Sequence, residues 1–231
     1  MAASIQVQLG PTQETLLIPL LGRAEESKKP DGLMHDAKAL EIVDSLDYDF
    51  EKWLGKTTLV GAVIRSLMFD EFIQEFLNEH PGGTIIEIGA GLNTRYERLD
   101  NGKARWIESD LPDSMELRRR FFADTDRRTL LAASALDTDW LEQVKQAPGP
   151  YCFISEAVLI YLDEAEVARV FRQIAEGFAD RDSRVIMDTT SSRNVNSQKN
   201  HDVMSTLPRE SWFRWKCDDP GTLEPRGLRL V

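Results

Sequence analysis

The sequence contains few of the residues that build disulfide scaffolds or metal sites. Of its 231 residues only two are cysteines, Cys152 and Cys217, and only three are histidines, His35, His80 and His201. Two cysteines so far apart do not form a disulfide framework, and neither they nor the scattered histidines have zinc-ligand spacing. We therefore expect neither a small disulfide-rich fold nor a bound metal.

Long apolar runs and excess positive charge are also missing. No uninterrupted apolar stretch is long enough for a membrane span. Thirty-nine acidic residues against 28 basic ones give a net charge of −11, which argues against a nucleic-acid partner because such a surface repels phosphates. The N-terminus lacks the basic and apolar regions of a secretory signal. The sequence therefore predicts a soluble, cytoplasmic protein of a single domain.

The first part of the chain, residues 1–80, is predicted to be helical. A helix over 57–79 is indicated by apolar pairs that recur every four or five positions. A shorter helix before it is predicted to begin at Asp36, because aspartate is a favourable N-cap. Pro19 predicts a kink or a short loop in the apolar stretch around it. We interpret this region as a helical extension or lid.

From residue 81 onwards, short apolar strands alternate with helices. The strands are predicted at 84–88, 105–109, 129–133, 151–155 and 184–187, and the helices near 93–100, 112–122, 139–146 and 163–178. Capping-box spacing is present at Asp163 and Glu166 and again at Asp139 and Glu142. The alternation predicts an α/β fold with a doubly wound, mostly parallel sheet, whose core is formed by residues 81–231.

The loop after the first of these strands carries the strongest signal. Gly89 and Gly91 lie between a buried strand and a helix, where glycine allows a tight turn and lets a ligand lie against the backbone. A turn without any ligand is the alternative. A dinucleotide fingerprint requires a third glycine where this chain has Thr94, and Glu87 is unfavourable beside a pyrophosphate. An adenosyl ligand with cationic sulfonium and ammonium groups suits these residues better.

Asp110 strengthens that interpretation. It ends the next strand about twenty residues after the glycines, where an acidic residue can accept hydrogen bonds from both ribose hydroxyls. Its alternative role is a helix cap before Leu111 and Pro112. We favour the ligand role, because the glycines and the carboxylate occur together.

Four segments of the chain resemble the class I S-adenosylmethionine-dependent methyltransferases, and more narrowly the leucine carboxyl methyltransferase family with its tetracenomycin-type polyketide O-methyltransferases. They are residues 17–24 (LIPLLGRA), 87–95 (EIGAGLNTR), 110–119 (DLPDSMELRR) and 155–162 (SEAVLIYL). The resemblance implies a Rossmann-like fold, S-adenosyl-L-methionine as cofactor, and O-methylation of a small molecule in secondary metabolism, such as a polyketide-type metabolite.

The resemblance also implies roles for individual residues. Gly89 and Gly91 would form the floor under the cofactor, and Asp110 would bind its ribose. Arg65 would pair with the methionine carboxylate, and Glu156 would lie near the methionine amino group. The alternatives are a surface salt bridge for Arg65 and a cap of the following turn for Glu156.

Two further cofactor contacts are implied at other places in the chain. Arg23, in the N-terminal segment, would help to bind the cofactor, and Leu136, after the third strand of the α/β region, would contact the adenine. Many relatives have an acidic residue at the latter place, where the nearest carboxylate of this chain is Asp137.

Methyl transfer from a sulfonium depends on alignment of the reacting groups and exclusion of water. A carboxylate acceptor is ionised at neutral pH, whereas a hydroxyl acceptor requires a base. Tyr161 and His201 are the catalytic candidates nearest in sequence to the end of the fourth strand. The sequence therefore favours a carboxylate acceptor held by an arginine of the lid, with a hydroxyl acceptor as the alternative.

Two other functions stay open at this stage. A nicotinamide-dependent oxidoreductase has a related fold, although Thr94 argues against it. The chain ends near the sixth strand of a seven-stranded sheet, which predicts incomplete C-terminal strands and allows a non-catalytic, cofactor-binding relative. The fifth strand would then have an open edge, which a second copy of the chain or residues 190–215 would cover.

Two side-chain clusters have simpler interpretations. The arginines at 118–120 and 127–128 predict a solvated helix face paired with nearby carboxylates. The aromatic run at 212–215 either lines an acceptor pocket or packs in the core.

Overall fold

The computed structural model describes residues 4–179 and 181–231, so the first three residues of the predicted extension lie outside the described part. The helices are α1 (Leu17–Ser27), α2 (Ala37–Ser45), α3 (Thr57–Glu79), α4 (Arg95–Leu99), α5 (Pro112–Arg118), α6 (Asp139–Val144), α7 (Glu164–Phe178) and α8 (Ser192–Ser197). The strands are β1 (Ile5–Gln6), β2 (Leu46–Asp47), β3 (Thr84–Ile88), β4 (Arg105–Asp110), β5 (Arg128–Ala132), β6 (Tyr151–Ser155) and β7 (Ser183–Met187).

Strands β3 to β7 form one parallel sheet in the order β5-β4-β3-β6-β7. The chain adds β4 and β5 on one side of β3 and then returns to place β6 and β7 on the other side. Ligand crevices of open parallel sheets lie at such a reversal, beyond the carboxyl ends of the strands. The predicted doubly wound α/β fold is confirmed, and β3 and β6 mark the place where a site is expected.

Both faces of the sheet are covered by apolar helix faces. Helix α7 begins with the predicted capping box of Asp163 and Glu166 and buries Val167, Val170, Phe171, Ile174 and Phe178. On the other face, Phe69, Ile73 and Phe76 of α3 pack against apolar side chains of β3, β4 and β6. Full burial of one such side chain stabilises the fold by roughly 1.5–3 kcal/mol, so these two helices fix the sheet.

The helical region largely follows its prediction. Helix α3 has the predicted bounds, and Asp36 caps α2 by accepting a hydrogen bond from the Ala39 N–H at 2.9 Å. The kink predicted at Pro19 was wrong, since Pro19 lies in the first turn of α1, where an N–H has no partner within the helix. The capping box at Asp139 was also wrong, because the N-cap of α6 is Thr138, which makes no side-chain capping bond.

The free edge of β7 is present, as predicted. In the described part of the chain β7 pairs with β6 alone. The segment after α8 does not pair with β7, because Val203, Met204 and Leu207 pack instead against the core of the helical region. Across residues 4–179 and 181–231, no helix is both long and apolar enough to cross a bilayer.

Candidate active site

A cavity of about 560 Å³ lies at the reversal point of the sheet. It is formed by the loop after β3, by the residues that follow β6 and β7, and by parts of α1, α3 and the segment after α8. Every residue predicted to bind the cofactor lines this cavity except Leu136. The structure therefore brings together residues that are far apart in the sequence: Arg23, Arg65, Gly89, Gly91, Asp110 and Glu156.

The loop after β3 requires glycine at two positions. Gly89 has a φ of +71°, and a Cβ there would lie 2.3 Å from Cγ2 of Val158. Gly91 has a φ of +49°, and a Cβ there would lie 3.2 Å from Cβ of Leu16. Glycine adopts these left-handed conformations without strain and leaves bare backbone. A turn alone would explain the two φ angles, but it would not explain the cavity beside them.

Two buried arginines hold this loop in shape. Nη1 of Arg118 donates to the carbonyl oxygens of Gly91 and Asn93, both at 2.8 Å. Nη2 of Arg23 donates to the carbonyl oxygen of Leu92, also at 2.8 Å. Three successive carbonyl groups of the loop are thus fixed by cations from α5 and from the helical region.

The other contact of Arg23 is with the helical region itself. Its Nε donates to Oδ2 of Asp36 at 3.0 Å, and the side chain is 2% exposed. Burial lowers the pKa of Arg23, although the charge of Asp36 opposes this shift. The structure therefore places Arg23 as a support of the loop, and its contact with the cofactor stays a prediction.

The solvated basic face was wrong for two of its arginines. Arg118 and Arg128 are 0% and 3% exposed, and both donate to Oε2 of Glu108 at 2.7–3.0 Å. Glu108 lies on β4 inside the sheet, where a carboxylate must be paired. Arg120, with an exposed side chain, does lie on the surface. We call Glu108, Arg118 and Arg128 the loop-support cluster.

Asp110 ends β4 beside the glycine loop. Its Oδ2 accepts the Gly91 N–H at 2.6 Å and its Oδ1 accepts the Leu111 N–H at 2.7 Å. Burial raises the pKa of Asp110, although these two hydrogen bonds act against the shift. Each oxygen keeps another lone pair, so the carboxylate can still accept from the two hydroxyls of a ribose. The alternative role as helix cap is not supported, because Leu111 is the N-cap of α5.

Glu156 follows β6 and accepts hydrogen bonds from four side chains. Oε1 accepts from Nε of Arg65 at 3.0 Å and from the Ser66 hydroxyl at 2.9 Å. Oε2 accepts from Nη2 of Arg95 at 2.5 Å and from Nδ2 of Asn93 at 3.4 Å. Burial by itself raises the pKa of Glu156, but the charges of Arg95 and Arg65 outweigh burial and lower the pKa to about 2. The side chain is a fixed negative charge, not a cap.

Arg65 lies on α3 between two carboxylates. Its Nε is 3.0 Å from Oε1 of Glu156 and 3.7 Å from Oδ2 of Asp188, so the pairing is internal rather than at the surface. Burial lowers the pKa of Arg65, but the charges of these carboxylates more than offset it and raise the pKa. Among the described residues only Nε donates to a side chain. The two Nη groups therefore keep donors for the carboxylate of a ligand.

The cavity also contains acceptor atoms without donors. Among the described residues, Oε2 of Glu87 and Oδ1 of Asn93 are buried without a hydrogen-bond partner, and both residues line the cavity. Unsatisfied buried acceptors cost free energy. The ammonium group of a methionine moiety would donate to them and to Glu156. The residues therefore fit S-adenosylmethionine, and we call Arg65, Glu87, Arg95 and Glu156 the cavity cluster.

The segment after β5 and the aromatic run at 212–215 each contain residues that line the cavity and residues that do not. Ala133, Ala135 and Leu136 all pack, half-buried, against the apolar core around α7, but only the two alanines also line the cavity. The predicted segment after β5 thus lies at the cavity, but Leu136 itself does not line it, and its contact with the adenine stays a prediction. In the aromatic run, Phe213 lines the cavity and Trp215 is buried in the same core as α7.

Both catalytic candidates line the cavity. The ring centroids of Tyr161 and Phe213 are 5.5 Å apart, and burial raises the pKa of Tyr161. Nδ1 of His201 accepts the N–H groups of Val203 at 3.2 Å and Met204 at 3.1 Å. These two side chains therefore stand where they could contact an acceptor molecule.

Two residues of the site were missed by sequence analysis. Asp188 directly follows β7, and its position at the carboxyl end of a parallel strand was the available signal. Arg95 donates to Glu87, to Glu156 and, at 2.8 Å, to Asp70 of α3. Its sequence gave no signal for this role, because an arginine at the start of a helix is usually exposed.

Comparison with known proteins agrees with this geometry. The family model described as "Leucine carboxyl methyltransferase" matches residues 17–175, which is more than half of the chain. The chain belongs to the leucine carboxyl methyltransferase family. The matched region includes α1, the glycine loop and the residues after β6, so it contains both the floor of the cavity and the cavity cluster.

Two relatives that align with most of this chain are named as methyltransferases. The chain is 30% identical over 232 residues to tetracenomycin polyketide synthesis O-methyltransferase TcmP of Streptomyces glaucescens, covering 97% of this chain and 83% of the relative. It is 28% identical over 242 residues to the S-adenosyl-L-methionine-dependent methyltransferase dpfgK of Gibberella zeae, covering 95% and 80%. This member of the leucine carboxyl methyltransferase family is an S-adenosylmethionine-dependent enzyme, a function favoured over the oxidoreductase and non-catalytic alternatives.

A solved structure is also similar. It is the magnesium protoporphyrin IX methyltransferase ChlM of Synechocystis PCC 6803 with bound SAH, at 15% identity and a TM-score of 0.49, covering 77% of this chain and 83% of that one.

Proposed function

We propose that this methyltransferase transfers the methyl group of S-adenosylmethionine to the carboxylate of a small aromatic molecule of the polyketide type. The name of the family describes carboxyl methylation, and the relative from Streptomyces glaucescens is named for polyketide O-methylation. These names support a chemical class of acceptor and not an individual compound.

The observation that carries the proposal is the state of the two catalytic candidates. Nδ1 of His201 accepts two backbone N–H groups, so the neutral ring carries its proton on Nε2 and is a donor there. Asp202 lies 3.3 Å from the same nitrogen but forms no hydrogen bond with it. Tyr161 is also protonated, because burial raises its pKa. This arrangement provides no evident base for a hydroxyl acceptor, and a carboxylate needs none.

The walls of the cavity contributed by the helical region and by the segment after α8 suit an ionised acceptor. Among the uncharged polar side chains, the hydroxyls of Thr12, Thr15 and Thr58 already donate to other groups of the protein. The amides of Gln13 and of Asn194, which lies on α8, donate to no group of the described residues and can donate to a ligand. Arg23 is enclosed between Asp36 and the glycine loop, and the Nη donors that Arg65 keeps are assigned to the methionine carboxylate of the cofactor. We therefore assign recognition of the acceptor to Gln13, Asn194 and His201, in place of a lid arginine.

When bound, S-adenosylmethionine supplies a methyl group that is already activated for displacement by an aligned nucleophile. The protein would hold it with Asp110 at the ribose, with Arg65 at the methionine carboxylate, and with Glu87 and Glu156 at the ammonium group. Apolar side chains of the helical region, with Leu16 among those that line the cavity, exclude water from the reacting groups.

The experiment distinguishes an ester product from an ether product. Polycyclic aromatic acids, and the same ring systems with a hydroxyl in place of the carboxyl group, are incubated with S-adenosylmethionine labelled in the methyl group. We expect the label in products from the acids, and we expect mild alkali to release it as methanol. Alkali-stable label from the hydroxyl compounds alone would contradict a carboxylate acceptor.

We also propose that residues 1–80 act as a lid over the cofactor. Leu16 and Pro19 line the cavity, and the Arg23 contact with the Leu92 carbonyl joins this region to the glycine loop. Limited proteolysis of this region should slow when S-adenosylhomocysteine is added. Unchanged cleavage at saturating ligand would speak against a lid.

We propose that a second copy of the chain covers the free edge of β7. Exposed strand edges favour pairing with another chain, and α3 exposes a row of apolar side chains: Val60, Ile64, Met68 and Phe72. Sedimentation equilibrium should give the mass of a dimer. A monomer at all concentrations would contradict this proposal.

A further inference from the structure

The turn after Glu156 has an unusual backbone. Ala157 has a φ of +55° and is the one non-glycine residue with positive φ in the described part of the chain. It connects Glu156, which lies in the cavity cluster, to Val158, whose methyl groups pack where a side chain on Gly89 would be. Residues with a Cβ avoid this conformation, so other contacts must hold it.

Asp188 supplies that contact. Its Oδ1 accepts the Ala157 N–H at 2.8 Å, and its Oδ2 lies 3.7 Å from Nε of Arg65. The Asp188 side chain is 20% exposed and lines the cavity. One carboxylate thus touches both the turn that presents Glu156 and the arginine that pairs with it.

The contact between Asp188 and Arg65 matters most when the methionine end of the cofactor is bound. Arg65 must then share its charge with the cofactor carboxylate, and Glu156 must share its charge with the ammonium group. Asp188 is the remaining carboxylate beside Arg65, so it keeps the guanidinium in place while Glu156 is engaged elsewhere.

We infer that Asp188 is a positioning residue for the amino-acid end of S-adenosylmethionine, which acts by holding the turn at Ala157 and the side chain of Arg65. This inference rests on the roles proposed above for Arg65 and Glu156. Burial raises the pKa of Asp188, while the charge of Arg65 opposes that shift, in keeping with a carboxylate that depends on its partner.

The test uses two ligands that differ only at this end. S-adenosylhomocysteine carries the amino-acid end, whereas 5′-methylthioadenosine has the same nucleoside and thioether without it. Asp188→Asn retains an oxygen for the Ala157 N–H but removes the charge beside Arg65. By calorimetry we expect the variant to bind S-adenosylhomocysteine about tenfold more weakly and methylthioadenosine within about twofold of the unmodified protein.

Asp100→Asn is the matched control. Asp100 also pairs with an arginine, Arg127, at 2.5 Å, and its side chain is 17% exposed, but neither residue lines the cavity. We expect this variant to bind both ligands like the unmodified protein. Equal weakening of both ligands by Asp188→Asn, or no weakening of either, would overturn the inference.

A second pair of variants separates the turn from the charge. Asp188→Ala removes both contacts and should weaken both ligands, because the turn also places Val158 over Gly89. Adding Ala157→Gly lets the backbone adopt positive φ without support. We expect the double variant to recover binding of methylthioadenosine but not of S-adenosylhomocysteine, and recovery of both would exclude a role for the charge. Failure of the unmodified protein to bind either ligand would overturn the proposed function itself.

Discussion

The loop-support cluster and the cavity cluster contain the same kinds of side chains but differ in whether their residues line the cavity. Arg118 is fully buried and directs its donors to Glu108 and to two carbonyl groups of the glycine loop. In the cavity cluster, Oε2 of Glu87 lacks a donor among the described residues, and Arg65 is 29% exposed with Nη groups to spare. Oε1 of Glu108 and Nη2 of Arg128 are also buried without a hydrogen-bond partner among the described residues, but no member of the loop-support cluster lines the cavity. One cluster is therefore closed off within the protein, and the other is open to a ligand.

This difference indicates how the two clusters contribute. A buried charge without its partner is costly, so removal of a member of the closed cluster should first affect folding. Removal of a member of the open cluster should first affect cofactor binding. Because the cofactor would satisfy Glu87 and Asn93, its binding should also stabilise the folded protein, as any ligand that binds only the native state does.

The largest effect is expected from Arg118→Met. It leaves Glu108 with Arg128 alone and frees the carbonyl groups of Gly91 and Asn93, so we expect a loss of about 3–5 kcal/mol in the free energy of unfolding. Urea unfolding measures this loss, and calorimetry should show weaker binding of S-adenosylhomocysteine. Arg120→Met, in the same run of arginines but with a side chain that is 62% exposed, should change stability by less than about 0.5 kcal/mol. Equal effects of the two substitutions would remove the distinction between the clusters.

Glu156→Gln tests the cavity cluster through the pH dependence of the free energy of unfolding. The pKa of Glu156 is about 2 in the folded protein against an ordinary value of 4.5. A carboxylate with a depressed folded-state pKa contributes stability above its unfolded pKa and loses it as pH falls towards the folded value. The unmodified protein should therefore exceed the variant by about 3 kcal/mol at pH 7, and the difference should shrink below about pH 4.5.

Urea unfolding of both proteins at a series of pH values measures that difference. At neutral pH the variant should also bind S-adenosylhomocysteine more weakly, since an amide cannot balance the ammonium group. A difference in stability that stays constant from pH 7 to the acid range would show that Glu156 does not carry the charge on which the cavity cluster depends.

Local signals in the sequence predicted the framework of the molecule. The bounds of α3 follow from the apolar periodicity, and the capping box at Asp163 marks the start of α7. The same spacing failed at Asp139, because α6 is a short helix that starts within the motif. The glycines and Asp110 were predicted because their roles depend on neighbouring residues and on the strands that precede them.

No local signal of this kind predicts the two charge clusters. The local sequence predicts that Arg118 belongs to a basic surface face. Its burial depends instead on pairing with Glu108, which lies on β4. Arg95 and Asp188 acquire their roles only when β3, β6 and β7 lie side by side. Pairing between distant residues follows from the assembled sheet and has no local pattern in the sequence.

Gly89→Ala tests the contribution of the glycine loop itself to stability and to ligand binding. The added methyl group would meet Val158 at 2.3 Å and impose strain at φ +71°, so we expect a loss of about 1–3 kcal/mol. Gly102→Ala is the control for strain alone, because its φ is +75° and its Cβ would meet no atom within 4 Å. The first variant should lose binding of both S-adenosylhomocysteine and methylthioadenosine, and the second should lose only stability. Normal binding by Gly89→Ala would mean that the loop is not the floor of the site.

Arg23→Lys tests whether Arg23, a buried arginine outside both clusters, supports the loop or contacts the cofactor. A lysine can pair with Asp36 or donate to the Leu92 carbonyl, but its single ammonium group does not reproduce the two-sided contact of the guanidinium. If Arg23 supports the loop, S-adenosylhomocysteine and methylthioadenosine should both bind a few-fold more weakly, since both lie on the loop. If Arg23 contacts the methionine end, only S-adenosylhomocysteine should be affected. We expect the first pattern, because the guanidinium is nearly fully buried between Asp36 and the loop.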